Sequence, residues 1–193
     1  MIQDHDRSYY IGASDTIYVV GNWETASFEK WWGTKSGLYS SDFQNDAMKA
    51  GTAYEHKILE SLGIPGMEMD RQFINGRLRI NLDGNTSDCI YEIKTYRNGE
   101  KFLLKKAYHV QVQVEMFGSG IHRAFIVSYG LEKEDYGNFY RDIDLSRITM
   151  HEQCYDEEFI QETYLPRFEY LSRCLDSGTF PSMNEYMAGQ KKR

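Results

Sequence analysis

The chain has 193 residues, 41% of them hydrophobic and 15% aromatic, so it can bury one full-sized core and is not a disordered chain. Its net charge of −7 argues against a generic nucleic-acid binder, because phosphate binding rests on lysine and arginine. The sequence contains no apolar run of membrane-spanning length, no signal-peptide core and no closely spaced cysteines. We therefore expect a cytoplasmic protein without a membrane partner, in which oxygen atoms hold any metal.

The first predicted element is a short helix that opens at Ser14 and Asp15, two residue types that favour helix N-caps. The free N–H groups at such a helix start can receive a phosphate, although simple capping is their commoner use. An aromatic helix end follows at residues 28–32. We expect its tryptophans to lie in the core or in the wall of a groove, with stacking on bases as the alternative.

Residues 46–62 are predicted to form a helix, because apolar residues recur at steps of three and four. The side of this helix that faces inward is expected to contain Met48, Gly51, Glu55, Ile58 and Leu62. Glu55 is then a carboxylate on an otherwise apolar face, where burial is costly unless the acid has a partner or a cation. A structural salt bridge to arginine or lysine is the alternative interpretation. Gly51, one turn before Glu55, has no side chain and could let another element approach.

Three strands are predicted next, at residues 67–74, 78–82 and 90–95, because their compositions are typical of strands and turn residues separate them. Asn75 and Gly76 form the first turn, and residues 84–88 form the second. The order of elements is therefore helix, strand, strand, strand.

A group of polar side chains is expected where the second and third of these strands meet. Period-two geometry places Glu92 and Lys94 on one face, and Asp83 can reach that face from the end of the preceding strand. Two carboxylates and an amine in this arrangement can hold a hard divalent cation and activate a water molecule. From spacing alone, an ordinary Asp-Gly turn beside a solvated strand face explains the pattern equally well.

Positive charge is concentrated directly after this group, because residues 94–106 contain five basic residues and one acid. These bases are Lys94, Arg97, Lys101, Lys105 and Lys106. By contrast, residues 132–169 carry eleven acids and four bases. The basic patch could contact DNA, and a solvated loop is the alternative. A helix is expected to open within residues 101–106.

The segment 108–117 supports two interpretations. Val110, Val112 and Val114 alternate with polar residues, which favours a strand. Its position after a basic helix start, and its end at Gly118, allow a helix instead. The choice stays open at this point.

The remaining elements are predicted from composition and periodicity. Strands are expected at residues 124–129 and 139–145, separated by an acidic turn at 132–138. A helix is expected over residues 156–175, with Pro166 kinking it or marking a restart.

Five short motifs occur in order along the chain: Arg7…Ser14-Asp15, Gly51-x-x-x-Glu55, Leu82-Asp83-Gly84, Glu92-Ile93-Lys94 and Tyr108-x-x-Gln111-Val-Gln113. Their order resembles that of the PD-(D/E)xK nuclease superfamily, and specifically the YqaJ-type viral recombinases of the lambda exonuclease group. The resemblance covers about residues 7–130. Each motif is weak alone, and the signal lies in their order and in the nine-residue spacing between Asp83 and Glu92. Leu82 replaces the proline of the superfamily name, which is not a ligand.

The resemblance implies an α/β fold, with a mixed central sheet flanked by helices and a restriction-endonuclease-like PD-(D/E)xK core. It implies one nuclease domain over residues 1–193. Within it we expect a core at about 7–145, a C-terminal helical extension at about 151–178 and a disordered tail at 188–193.

The resemblance also implies a metal centre of one or two Mg²⁺ or Mn²⁺ ions. Asp83, Glu92 and the carbonyl of Ile93 would be its ligands. Glu55 would orient metal-bound water or hold a second ion. Lys94 would position or deprotonate the attacking water, or stabilise the charge of the transition state.

A further set of residues would handle the substrate. Gln111 would orient Lys94 or touch the phosphate, with Gln113 as the alternative if the register differs. In this group Arg7 and Ser14 resemble a pocket that receives a 5′-phosphate. Arg97, Lys101, Lys105 and Lys106 would follow the duplex backbone.

Together these expectations describe a metal-dependent 5′-to-3′ double-stranded DNA exonuclease of phage-type recombination. Its partners would be DNA ends, further copies of the chain in a trimeric ring, and a single-strand annealing protein. The alternatives are an endonuclease or single-strand nuclease of the same superfamily, or a non-catalytic module that binds DNA ends.

Overall fold

The computed structural model describes residues 9–39 and 46–190, so Arg7 lies outside the described residues. One mixed sheet forms the centre of the molecule, in the order β1-β3-β4-β5-β6, with β2 also paired to β3. Its strands are β1 (Ile11–Gly12), β2 (Glu68–Asn75), β3 (Leu78–Asn85), β4 (Ile90–Arg97), β5 (Arg123–Leu131) and β6 (Ile148–Cys154). Neighbours β4 and β5 run parallel, whereas β3 and β4 run antiparallel.

Helices cover the sheet on both sides. They are α1 (Thr16–Val19), α2 (Ala26–Lys35), α3 (Asp46–Ser61), α4 (Lys106–Ser119), α5 (Leu165–Ser177) and α6 (Met183–Gln190). The predicted mixed sheet flanked by helices is therefore confirmed. Among the described residues, no helix has the length and apolar composition that a membrane crossing requires.

Two hydrophobic clusters hold these layers together. The larger cluster includes Trp31 and Trp32 of α2, which are buried as expected, together with Val112 and Val114 of α4. The smaller one packs α3 against β4 and β5 and contains Tyr54 and Ile58. Gly51 is the point of closest approach, because a Cβ atom there would lie 3.1 Å from Oγ1 of Thr95 in β4.

The inward face of α3 is rotated from the predicted one. Ala50, Tyr54, Ile58 and Leu59 are its buried residues, whereas Met48 is half exposed. The steps of three and four were correct, but the predicted phase followed Met48 and Leu62 rather than the aromatic Tyr54. Glu55 accordingly lies at the edge of the buried face.

Segment 108–117 is helical, and the strand that its alternation favoured is wrong. Helix α4 is enclosed nearly all round, since Gln113 and Glu115 are buried along with Val112, Val114 and Met116. Because Gln113 and Glu115 are buried like the valines between them, the alternation of valine and polar residues did not mark a buried and a solvated strand face. The helix opens at Lys106 and not earlier, because residues 101–105 are in neither a helix nor a strand.

The predicted strand at 139–145 is also wrong, and the strand in this region is β6. An ion-pair network occupies the loop before it: Asp135 is fully buried and binds Arg141 at 2.8 Å and Arg147 at 2.9 Å. The sheet therefore continues beyond the predicted core boundary of 145. The predicted helical extension from 151 begins later, because residues up to Cys154 belong to β6.

The C-terminal helix has two parts. A π-helical stretch, Phe159–Tyr164, leads into α5, and Pro166 lies in the first turn of α5. The predicted restart at Pro166 is thus confirmed. The predicted disordered tail from 188 is wrong for residues 188–190, which end α6, and residues 191–193 lie outside the described part of the chain.

Candidate active site

The site forms where β3 and β4 separate. These strands pair at only two positions, Gly84 with Tyr91 and Asn85 with Ile90, before they diverge. Asp83 lies in this fork, and its Oδ2 accepts a hydrogen bond of 2.8 Å from the backbone N–H of Ile93. The side chain of Asp83 thus replaces a strand partner for β4, which fixes the position of its carboxylate.

Glu92 and Lys94 share a face of β4, as predicted, and contact each other directly. The Lys94 Nζ atom lies 2.6 Å from Oε1 of Glu92, and it also donates a hydrogen bond of 3.2 Å to Gln111 Oε1. The ring of Tyr108 lies 5.2 Å from the same ammonium group. Lys94 is therefore held on three sides by a carboxylate, an amide and an aromatic ring.

The structure distinguishes between the two glutamines of α4. Gln111 Nε2 donates to Glu92 Oε1 at 2.6 Å, which places its amide inside the site. Gln113 donates to the carbonyl of Cys154 and accepts from the backbone of Asp156 instead. These contacts join α4 to the end of β6 and give Gln113 a structural role, while its DNA contact stays a prediction.

Glu115 is a site residue that the sequence analysis missed. It is fully buried, and its Oε1 accepts a hydrogen bond of 2.8 Å from Gln111 Nε2. Residues four apart lie on one face of a helix, so assigning 108–117 to a helix would have placed Glu115 beside Gln111. The strand periodicity of the segment concealed this relation.

The carboxyl groups of the site perturb one another. Burial, and next the charge of Glu92, raise the pKa of Asp83 and of Glu115 well above their ordinary values. The same two causes raise the pKa of Glu55, which approaches Asp83 from α3. Burial lowers the pKa of Lys94, but Glu92 and Asp83 more than offset this and raise it above its ordinary value. Lys94 is therefore a cation, surrounded by an excess of acid.

The donor set fits a hard divalent cation. Glu92 Oε2 and Glu115 Oε2 are buried, yet neither has a hydrogen-bond partner among the described residues. Unpaired buried carboxylate oxygens are costly, and oxygen atoms are the ligands that Mg²⁺ and Mn²⁺ prefer. The backbone of Ile93 lies at this point through its bond to Asp83, while the ligand role of its carbonyl stays a prediction.

A cleft of about 730 Å³ opens beside these residues. Its lining includes Ser14 from the N-terminal segment and both Gln111 and Glu115 from α4. Ser14 is exposed, whereas Asp15 is occupied, since it accepts hydrogen bonds from the Gly12 backbone and the Trp31 indole and pairs with Lys35. The short helix expected at these residues is present as a 3₁₀ turn, Ala13–Asp15, followed by α1.

Two proteins whose solved structures share this architecture are exonucleases. The alkaline exonuclease LHK-Exo from Laribacter hongkongensis matches with a TM-score of 0.67 at 18% identity, over 97% of this chain and 95% of that one. A phage-related exonuclease from Haemophilus somnus 129PT matches with a TM-score of 0.64 at 16% identity, over 90% of this chain and 97% of that one. The chain has the exonuclease fold of these proteins. The resemblance stated from the sequence is confirmed at the level of the fold.

A second structure of LHK-Exo, in complex with dAMP, matches equally well, with a TM-score of 0.66. No family model matches the sequence of this chain, and no curated protein matches it significantly. At 18% identity or less, the shared fold gives the placement of the elements. The roles of the side chains on this exonuclease fold must come from the site itself.

The predicted basic residues lie around the site, mostly in solvent. Lys105 is the nearest to it, because its ammonium lies 5.5 Å from the ring of Tyr108, which also faces Lys94. Lys101 and Lys106 are exposed on the same segment, and Arg97 is exposed and 3.9 Å from Glu100. The positive charges of these residues thus lie on long, flexible side chains near the acidic residues of the site.

Glu55 also belongs to a second group of possible ligands. Glu55, His56 and Asp70 each offer one ligand atom, and these three atoms lie within 4.8 Å of one another. His56 and Asp70 are exposed and contact each other at 3.0 Å. Glu55 therefore stands between the buried acids and an exposed His-Asp pair.

Proposed function

We propose that this chain is a metal-dependent deoxyribonuclease that degrades double-stranded DNA from 5′-phosphorylated ends, in the 5′-to-3′ direction. The observation that carries the proposal is the group at the fork between β3 and β4, in which Glu92, Lys94 and Gln111 are joined by direct hydrogen bonds. Asp83 is fixed beside them by its bond to the Ile93 backbone. The exonuclease fold supports the nuclease class. Hydrolysis of a phosphodiester needs charge neutralisation, which this group can organise.

In this proposal Asp83, Glu92 and the Ile93 carbonyl hold one or two divalent cations, Mg²⁺ or Mn²⁺, with Glu55 close by. When bound, such an ion neutralises phosphate charge and lowers the pKa of water toward neutrality. Lys94 supplies a second positive charge at the site. The hydrogen bonds to Glu92 and Gln111 hold its ammonium in the site, where it stabilises negative charge on the phosphate.

Gln111 positions Lys94 for this role. Its Oε1 accepts from the ammonium, while its Nε2 donates to Glu92 and to Glu115, so the amide has one orientation only. A rotated amide would face the ammonium with its own N–H groups. The network therefore keeps the charged end of Lys94 beside the carboxylates, where a phosphate would lie.

The cleft would receive the end of the DNA strand. Ser14 lines it, and Arg7 belongs to the same predicted 5′-phosphate pocket. A terminal phosphate is a dianion, so it distinguishes an end from an internal phosphodiester. Arg97, Lys101, Lys105 and Lys106 would contact the duplex backbone, while the acids elsewhere account for the net charge of −7.

The proposal extends to assembly and pathway. Copies of the chain would form a trimeric ring around DNA, so that topology rather than tight binding gives processivity. A single-strand annealing protein would then act on the exposed strand during recombination.

The test is digestion of a linear duplex with a 5′-phosphate at one end and a 5′-hydroxyl at the other, beside a closed circle. Loss of nucleotides from the phosphorylated end, with Mg²⁺ and not with EDTA, is the expected result. The Asp83→Asn variant should be inactive under the same conditions. Cleavage of the circle would indicate an endonuclease, and intact DNA with both Mg²⁺ and Mn²⁺ would indicate a binding module.

A further inference from the structure

Arg79 is a largely buried arginine with no acidic partner among the described residues. It lies on β3 at 9% exposure, in a strand where Leu78, Ile80 and Leu82 are the buried apolar residues. Arg79 therefore alternates with these residues and shares its side of the strand with Asp83. This side of β3 leads from the N-terminal segment to the fork of the candidate active site.

The Arg79 guanidinium contacts no acid in the part of the chain that the structure describes. Its guanidinium carbon lies 5.1 Å from the ring centre of Tyr10, and no hydrogen bond or ion pair of this side chain occurs among the described residues. Arg77, two residues earlier, is different, because it binds Asp176 at 2.6 Å and the carbonyl of Tyr9 at 2.8 Å. Arg77, in the turn before β3, and Arg79, on the strand, thus have opposite environments.

No nitrogen atom of this guanidinium is fully enclosed, so its five N–H donors open onto the solvent of the cleft, where an anion could accept from them. A fold keeps such a group where a ligand supplies the missing anion. The ring of Tyr10 stacks against the guanidinium and holds it without consuming its hydrogen-bond capacity.

The position of Arg79 identifies where that anion would come from. Arg79, Tyr10 and Ser14 line the same cleft as Gln111 of the candidate active site. Lys30 also lines the cleft and is a second cation there, whereas Lys35 forms an ion pair with Asp15. A hydroxyl, an amide and two cations in one cleft match the acceptor oxygens of a phosphate.

We propose that Arg79 is a phosphate-binding residue of this cleft, which pairs with a phosphate group of the DNA strand that enters it. This assignment rests on the proposed function for the identity of the ligand as DNA. The phosphate can be the terminal monoester or an internal diester, and the experiment separates the two.

The experiment measures binding without cleavage, by fluorescence anisotropy of labelled duplexes in EDTA. Wild type, Arg79→Met and Arg79→Lys are compared on duplexes with a 5′-phosphate and with a 5′-hydroxyl. Arg123→Met is the matched control, because it removes one positive charge from an exposed arginine that pairs with Glu152 and does not line the cleft.

Arg79→Met should weaken binding about ten- to hundredfold, the loss expected for one charge-assisted bidentate contact. Arg79→Lys should lose less, because it keeps the charge but not the planar fork. A loss confined to the phosphorylated duplex assigns the terminal phosphate, and an equal loss on both assigns an internal one. Unchanged binding by Arg79→Met, or the same loss in Arg123→Met, overturns the proposal.

Thermal unfolding separates a binding role from a structural one. If Arg79 serves a ligand, Arg79→Met should unfold at the same temperature as wild type or higher, since the substitution removes no hydrogen bond or ion pair to a described residue. Inorganic phosphate should raise the unfolding temperature of wild type and not that of the variant. A variant that unfolds at a clearly lower temperature would show that Arg79 supports the fold, which contradicts the proposal.

These outcomes are independent of catalysis. A chain that fails to degrade DNA with Mg²⁺ but loses phosphate affinity on Arg79→Met would retain the phosphate site and lose the nuclease assignment. If the chain degrades DNA but Arg79→Met binds DNA with undiminished affinity, the nuclease assignment stands and the phosphate site is refuted.

Discussion

Replacing Asp83 by asparagine should stabilise the metal-free protein while it abolishes the response to metal. The Asp83 carboxylate faces two like charges, those of Glu92 and Glu55, and one opposite charge, that of Lys94. One repulsive contact thus stays uncompensated. The asparagine side chain has nearly the same shape, and its carbonyl can still accept the hydrogen bond from the Ile93 backbone.

The expected magnitude follows from that count of charges. One uncompensated like-charge contact between partly buried groups is worth about 1–2 kcal/mol. For a chain of this size, the unfolding temperature shifts by about 2–4 °C per kcal/mol, so Asp83→Asn should unfold about 2–8 °C higher than wild type in EDTA. The folded-state pKa of Asp83 is raised. Its protonated form therefore favours folding at low pH, and the protein loses stability as pH rises through that pKa.

The assay is thermal unfolding followed by circular dichroism at about pH 8, where the unfolded carboxyls are ionised. Each protein is measured in EDTA and then with Mn²⁺. Wild type should gain stability with Mn²⁺, because the ion binds only the folded state, and Asp83→Asn should not. A lower unfolding temperature for Asp83→Asn in EDTA would refute the repulsion argument, and an equal gain with Mn²⁺ would refute the ligand assignment.

Three further substitutions test separate parts of the molecule. Lys94→Met should lower the cleavage rate about 10²–10³-fold with little change in DNA affinity, measured by single-turnover digestion; a near wild-type rate would contradict its electrostatic role. Gln113→Ala should lower the free energy of unfolding by about 2 kcal/mol in urea titrations, because Gln113 joins α4 to Cys154 and Asp156, and leave the single-turnover rate unchanged. Asp135→Asn should cost about 3 kcal/mol at neutral pH, since it breaks a buried ion pair. Burial raises the pKa of Asp135, but the hydrogen bond from the Glu132 N–H and the contact with Arg147 more than offset this and lower it below its ordinary value. The contribution of Asp135 to stability is therefore present above about pH 4 and is lost as pH falls through the folded-state pKa. Urea titrations across pH should therefore show a shallower acid limb for the variant, and parallel curves would exclude this account.

The position of the site was predictable because short-range geometry determines it. Alternation on one strand puts Glu92 and Lys94 together, and a turn of few residues brings Asp83 back to them. Glu55 followed from the periodicity of α3, although the helix is rotated so that Glu55 lies at the edge of its buried face. Local patterns of this kind carry over directly into the fold.

What could not be predicted depends on contacts between distant segments. Whether 108–117 is a helix or a strand depends on its enclosure by other elements, and this choice also decides that Glu115 is near Gln111. The unpaired state of Arg79 has the same origin, since it depends on which acids the fold brings to β3. Sequence periodicity contains no information on such partners.

The hydrogen bond between Asp83 and the Ile93 backbone has a consequence for how inactive variants should be made. The acid that would bind the ion also satisfies an amide of the central strand β4, where β3 no longer pairs. An alanine at position 83 would leave this amide without its acceptor, so loss of activity and loss of structure would arrive together. In a natural relative of this chain without activity, we therefore expect asparagine or serine at this position more often than an apolar residue.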